Sequence, residues 1–425
     1  MTAPLIPPEL ILACIEFSLP SPSPPPTPPS SSAHVHSRAS ILLRYSLTSR
    51  LFRALAQPLL FQHPHLPSTA SAHAFAAVLE RDKTWELKKE VRSLSLGAAL
   101  GEGRAGVEGK GVVERLARVC GETVEEMRLE NVTRLRMDEL EGFKRLHALH
   151  LSDCLLAPCT SFTYSPSLPS VRHLTLASVH LTVNSLPPTL FPSLTSLSLT
   201  TPRGSIASSP LQLSDFFSAV APHLVTFSFH DQSSDSAGAW PGLHFNPILD
   251  HFRRLRNVRH LEWANAVPML ELLPHAGLEN LRSVALSLQG HLAPPSTPDG
   301  GRGATDAASR RREHAADRVL RASVQYLRAI LGGGEEDEAM EQVEQGVLMP
   351  AWMQKLVQGL EEIALPQRAW GGRGNESPSL ERETKALERS ARARGVRVVV
   401  REEGEFLKVV RGMEQGERVS MVEGW

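Results

Sequence analysis

Hydrophobic positions in this chain recur as a short phrase with apolar residues in its first, fourth and sixth places. The phrase appears as Val91/Leu94/Leu96, Val124/Met127/Leu129, Leu146/Leu149/Leu151, Val171/Leu174/Leu176 and Leu194/Leu197/Leu199. It continues as Leu224/Phe227/Phe229, Val258/Leu261/Trp263 and Leu281/Val284/Leu286, with late copies at Leu360/Ile363/Leu365 and, more weakly, Val396/Val399. Fourth and sixth places share one side of an extended strand. Stacked copies therefore build an apolar column that no single copy can bury alone, which predicts a solenoid rather than a closed globule. Helical spacing fills some of the gaps, at Val112 to Cys120 and Leu211 to Val220, and proline phrases such as Leu168-Pro169-Ser170 and Phe191-Pro192-Ser193 introduce strands. The fold class this predicts is α/β, with parallel strands along one face and helices outside.

Before the repeats the pattern changes to helices. Proline at 7 and 8 with Glu9 suits a first helical turn, and Leu10, Ile11, Cys14 and Ile15 share a face. This helix should end near Pro20. Residues 20–38 read as an inserted, disordered Pro/Ser stretch. Ile41, Leu42 and Tyr45, then Leu47, Leu51, Phe52 and Leu55, give two further apolar stripes, with Thr48 or Ser49 as a cap and Pro58 just past the end. Three short helices bury little by themselves, so some of this apolar surface should stay open for a partner.

These residues carry a resemblance. Ile6-Pro7-Pro8-Glu9-Leu10, Leu42-Leu43, Leu47-Thr48-Ser49-Arg50-Leu51-Phe52-Arg53 and Ala56-Gln57-Pro58-Leu59-Leu60-Phe61 resemble the F-box, with Ile6 where that family usually has leucine. The resemblance implies docking of a Skp-type adaptor and, through it, the cullin ligase core. It implies Ile6, Pro7, Leu10, Ile11, Ile15, Leu42, Leu43, Leu47, Leu51 and Phe52 as adaptor-binding residues. Repeat starts from Leu146 to Leu281 lie 25, 23, 30, 34 and 23 residues apart, near or beyond the period of about 20–29 residues of leucine-rich repeats. The array is therefore similar to the leucine-rich-repeat arc that commonly follows an F-box. Cys154 stands at relative position nine, where that family carries asparagine or cysteine.

The chain divides on these signals into an F-box-like module at 1–66, a connecting helix or linker at 67–90 and repeats at 91–290. Low-complexity loops with an inserted helix, Arg312 to Leu331, take 291–345; terminal repeats and a cap take 346–410; a tail takes 411–425. In the cap, Leu380 to Arg394 reads as a charged helix and Gly395 to Val400 as an edge strand.

Composition narrows the function classes. Over 425 residues, 45 basic side chains face 46 acidic ones, so no global field draws the chain to nucleic acid or to an anionic membrane. Four cysteines, Cys14, Cys120, Cys154 and Cys159, are too scattered for a disulfide scaffold. No apolar run approaches about 18 residues and no basic start precedes one. The expectation is a protein of the cytoplasm and/or nucleus that binds neither nucleic acid nor membrane.

Chemical motifs are sparse. Gly101-Glu102-Gly103-Arg104-Ala105-Gly106 fits GxGxxG, with Glu125, Glu126 and Glu130 about twenty residues on. The strand before it alternates polar and apolar, whereas the first strand of a dinucleotide fold is buried on both faces. An inter-repeat loop is the better reading, and no cofactor and no metal are expected. His34/His36 and His63/His65 read as solvated side chains, and nothing pairs a nucleophile with a base.

Relative positions two, three and five should form the concave face. Position two reads His147, Arg172, Thr195, Val225, Arg259 and Arg282; position three includes His173 and His260; position five includes His150. Arginine forks onto carboxylate or phosphate oxygens. His147, His150, Arg172, His173, Arg259, His260 and Arg282 are therefore candidates for holding an acidic or phosphorylated target, against the plainer alternative of a solvated polar face. The expected function is the substrate-recognition subunit of an SCF-type cullin-RING ubiquitin ligase, without catalysis of its own. The alternatives are a leucine-rich-repeat scaffold outside any ligase and an enzyme using the glycine loop.

Overall fold

The computed structural model describes residues 7–19, 31–82, 86–97, 107–109, 111–159, 166–182, 185–200, 210–230, 253–264, 278–286, 320–331, 358–366 and 378–401. The chain forms two compact units, one of Met1–Leu194 with Ala207–Gln212 and one of Thr195–Ile206 with Leu213–Trp425. The glycine-rich motif at 101–106 lies outside the described residues.

The first unit opens with three helices, α1 (Pro8–Ser18), α2 (Ser31–Thr48) and α3 (Arg50–Gln62). Two boundaries differ from expectation. Helix α2 begins at Ser31, so 31–38 is helical rather than part of a disordered insertion; no proline follows Pro29 to stop the helix extending backwards. Helix α3 runs through Pro58 to Gln62 instead of ending before it. Ser49 is the cap of α3, its hydroxyl accepting from Phe52 N at 3.2 Å. Ile15, Leu19, Leu42 and Ala56 form the buried centre of the module, with Ile11, Ile41, Tyr45, Phe52, Leu55, Leu59 and Leu60 packed around it.

After β1 (His65–Leu66) come α4 (Thr69–Arg81), α5 (Glu86–Glu90), β2 (Ser93–Gly97), β3 (Val107–Glu108), α6 (Val112–Cys120), β4 (Glu126–Glu130), β5 (Val132–Thr133), a 3-10 turn at Met137–Leu140, β6 (Ala148–Ser152) and β7 (His173–Ala177). Strands β1, β2, β4, β6 and β7 pair in that order, all parallel, while β3 pairs with β5. The ladder thus starts at His65, upstream of the expected first repeat. Leu94, Met127, Leu149 and Leu174 stand in register, as do Leu96, Leu129, Leu151 and Leu176, and these columns are buried.

Where the chain leaves β4, β6 and β7, Asn131, Asp153 and Ser178 take positive φ, a conformation that asparagine and aspartate tolerate best. Beside them Cys154 Sγ donates to Leu129 O of β4 at 3.2 Å. At the end of β2, Gly97 has φ +102° and lies so close to Glu130 that an added Cβ would fall 1.7 Å from its carbonyl oxygen.

In the second unit β8 (Ser196–Thr200), β9 (Thr226–His230), β10 (His260–Ala264), β11 (Ser283–Leu286), β12 (Glu362–Pro366) and β13 (Arg397–Arg401) pair successively and in parallel. Helix α7 is Pro210–Val220, α8 covers 320–330 and α9 is Pro378–Ala393. Phe227 and Phe229 stand in register with Leu197 and Leu199 and are buried with them, and Phe217 of α7 lies 5.4 Å from the Phe227 ring. Glu383 of α9 joins α8 through Gln325 Nε2 at 2.8 Å. One phase is corrected: Val398 pairs with Ile363 and Val400 with Leu365, so Val398, not Val399, holds the fourth place of β13.

Candidate recognition surfaces

The helical module divides the expected adaptor residues in two. Ile15 and Leu42 are each 1% exposed and hold the helices together, with Ile11 and Phe52 half-buried against them. They are core before they are contact surface, because three helices need an apolar centre. Leu10, Leu43, Leu47 and Leu51 are 58%, 51%, 70% and 43% exposed, and Phe17 is 95% exposed. Exposed Pro7 ends the chain entering α1, its carbonyl accepting from Leu10 N and Ile11 N; Ile6 lies outside the described residues. Phe17 was missed by sequence reasoning, although its place one turn after Cys14 on an apolar helix carries the signal.

The polar face of the strands is tied together sideways. Because paired residues sit about 5 Å apart across a ladder, a histidine reaches the hydroxyl opposite it. His65 Nδ1 lies 3.1 Å from Ser95 Oγ, His150 Nδ1 3.0 Å from Thr175 Oγ1 and His260 Nδ1 2.8 Å from Ser283 Oγ, each pair in register. His63 joins in through Ser93 Oγ at 2.7 Å, so His63 and His65 are structural partners rather than solvated side chains.

Centrally in the first unit, Arg128 forks onto Glu126 Oε1 at 2.9 and 2.7 Å while His150 Nε2 lies 3.4 Å from the same oxygen. Burial raises the Glu126 carboxyl pKa, but the His150 ring and the Arg128 guanidinium lower it by more, leaving it well below the usual carboxylate range. His150 is thus held by Glu126 and Thr175, and His173 is buried at 9% exposure. His150 is engaged by polar neighbours on the adjacent strands, whereas His173 is withdrawn by burial.

In the second unit the same face is buried, with Ser196, Ser198, Thr226, Ser228, Glu262, Ser283 and Glu362 all at 6% exposure or less. Ser228 Oγ donates to Glu262 Oε2 at 2.9 Å, and Arg397 reaches Glu362 Oε2 at 2.5 Å. A groove floored by open Ser/Thr residues is not what these positions form.

The position-two residues lie just ahead of the strands, and His147, Arg172, Arg259 and Arg282 are exposed there. Arg282 Nη1 lies 3.4 Å from Glu361 Oε1, its counterpart on the next strand. In the first unit Arg92 and Arg145 share Glu125 at 2.9 and 3.2 Å. Arg172 belongs to the first unit and Arg259 and Arg282 to the second. Sequence reasoning missed that Arg259 ends a run with Arg253, Arg254 and Arg256, all exposed; the run is plain in the chain once the eye leaves the strand positions.

Among the described residues no group of three or more His, Cys, Asp or Glu side chains could hold a metal ion. The four cysteines are free thiols, and burial pushes those of Cys120 and Cys154 up to about 12. No described helix is long and apolar enough to cross a membrane.

No family model matches the chain, and no curated protein matches it. Among solved structures, an internalin from Listeria monocytogenes str. 4b F2365 is similar at 11% identity and a TM-score of 0.27, with 78% of this chain and 88% of that chain covered.

Proposed function

We propose that the chain is the substrate-recognition subunit of an SCF-type ubiquitin ligase, an F-box-like module followed by leucine-rich repeats. The observation that carries this reading is the row of exposed leucines, Leu10, Leu43, Leu47 and Leu51, on a module whose own centre is already filled by Ile15 and Leu42. Soluble proteins keep few large apolar side chains open without a use for them, and these are the residues that the F-box resemblance assigns to the Skp-type adaptor. Parallel strands that bury their leucine columns and turn polar groups the other way support the repeat half of the reading. The mechanism is proximity. One module holds the adaptor and the cullin core while the repeats hold a target, which raises the effective concentration of target lysines near a ubiquitin-charged enzyme.

The test is co-purification of the full chain with a Skp-type adaptor, beside a variant carrying Leu10→Ala, Leu47→Ala and Leu51→Ala. The expected result is retention by the wild type and at least tenfold weaker retention by the variant at unchanged helix content. A wild-type chain that retains no adaptor rules the ligase reading out and leaves the repeat scaffold.

A further inference from the structure

The turn entering β10 carries four arginines within seven residues. Leu255 and Val258 point inward at 1% and 0% exposure, and Arg253, Arg254, Arg256 and Arg259 stand outward and exposed. Arg254 Nη1 donates to Ser218 Oγ of α7 at 2.7 Å and to Ser218 O at 3.3 Å. Arg253, Arg256 and Arg259 form no side-chain hydrogen bond or ion pair with any described residue. Arg282 stands beside Arg259 on the next strand, its backbone N donating to Arg259 O at 2.8 Å, and its pair with Glu361 is a surface contact with both side chains more than half exposed. Such a pair contributes little and opens readily.

The backbone beneath these cations is fixed. Asn257 Nδ2 donates to Pro222 O and Asn280 Nδ2 to Arg256 O, each at 2.7 Å, so asparagines tie the turn to its neighbours on both sides. Guanidinium groups on a fixed backbone lose less freedom when they bind. Among the described residues Glu361 is the one carboxylate paired with any of these five arginines, in a chain whose overall charge is −1, so the charge is a local feature.

We propose that Arg253, Arg256 and Arg259, with Arg282, dock a short acidic segment of a partner protein, one bearing several Asp or Glu carboxylates. Unpaired guanidinium groups spread along seven residues match successive carboxylates. Among the described residues 253–259 the turn has no aromatic ring on which a base could stack, and Glu279 and Glu361 would repel a continuous phosphate backbone. This deepens the recognition reading above by naming the chemistry of the target, and it rests on that reading only for what the docking is used for.

The experiment is fluorescence anisotropy on the full chain with a labelled octaglutamate peptide, a matched octaglutamine peptide and an eight-residue oligothymidylate as probes. The expected result is octaglutamate binding that weakens with salt, no octaglutamine binding and weaker oligothymidylate binding. Arg253→Ala/Arg256→Ala/Arg259→Ala should lose at least tenfold in affinity with an unchanged melting temperature. Arg118→Ala/Arg134→Ala/Arg394→Ala, which removes equal charge elsewhere, should keep it. The proposal is overturned by no octaglutamate binding, by equal octaglutamine binding, by tighter oligothymidylate binding, or by equal losses in the two triple variants. Adaptor co-purification of the same variants is read separately, so a failed adaptor test leaves this one standing.

Discussion

Glu139 sits in the 3-10 turn Met137–Leu140 at 9% exposure, and its nearest cation, Arg136, is already engaged with Asp138. Arg136 Nε lies 4.0 Å from Glu139 Oε1. Burial pushes the carboxyl up to about 7, with Asp138 and Glu114 adding to the rise and Arg136 and the Gly111 N–H at the start of α6 opposing it. An unfolded glutamate releases its proton near 4.5. Between those two values the folded chain holds a proton that the unfolded chain has lost, so stability from this group falls as pH rises and the full penalty is present above about 7. Glu139→Gln removes the penalty. It should stabilise the protein at pH 8 by on the order of 2 kcal/mol and change nothing at pH 4, read as urea midpoints. A gain of equal size at both values would mean that packing, not ionisation, is responsible. Nothing in the sequence around Met137-Asp138-Glu139-Leu140 shows this, because the burial comes from segments distant in the chain.

At the scale of elements, the helical module separates two jobs that the sequence pattern merges. Leu42 and Leu43 are neighbours in the chain, yet one is 1% and the other 51% exposed. Leu42→Ala should cost about 2–5 kcal/mol by opening a cavity at the module's centre. Leu47→Ala, at a 70% exposed position, should stay within about 0.5 kcal/mol of wild type and weaken adaptor retention instead. Thermal unfolding of α1–α3 checks the pair, and equal destabilisation by both would place Leu47 in the core. The strands were legible for a simple reason: Leu149 and Leu151 must face inward in register with Leu174 and Leu176, and a leucine column leaves a period-two trace. The polar alternates were not legible, since Ser228 and Glu262 give the same trace whether water or another side chain satisfies them. The phase of β13 was misread for a related reason. Val396, Val398, Val399 and Val400 are all apolar, and only pairing with β12 fixes their register; Val400 is 49% exposed at this ladder end, while Val399 packs against Ala285 and Ala364. The arginine run before β10 escaped because attention to strand positions passes over turns, where exposed function is most often carried.

At the scale of the whole molecule, a ladder of parallel strands draws its stability from neighbours. In the second unit β12 has β11 on one side and β13 on the other, and its Ile363, at 0% exposure, stands in register with Val284 and Val398. Stacked repeats lose contacts locally when one is damaged, because each touches only the next. Ile363→Ala should therefore reduce amide protection in β11, β12 and β13 by at least tenfold in hydrogen exchange. Protection in β9 and β8, two and three strands beyond β11 in the same ladder, should change much less. Equal loss across β8 to β13 would show a single cooperative core in place of a chain of neighbours, and would remove the physical basis for reading this unit as repeats. The graded loss has a consequence for docking at the turn before β10: Asn257 ties that turn to Pro222 on the side away from β11, so Arg253, Arg256 and Arg259 should keep most of their geometry when β12 is weakened, and only Arg282 ahead of β11 should be lost. Octaglutamate affinity of the Ile363→Ala chain, measured at a temperature where exchange shows β11 to β13 opening, should then stay within about threefold of wild type.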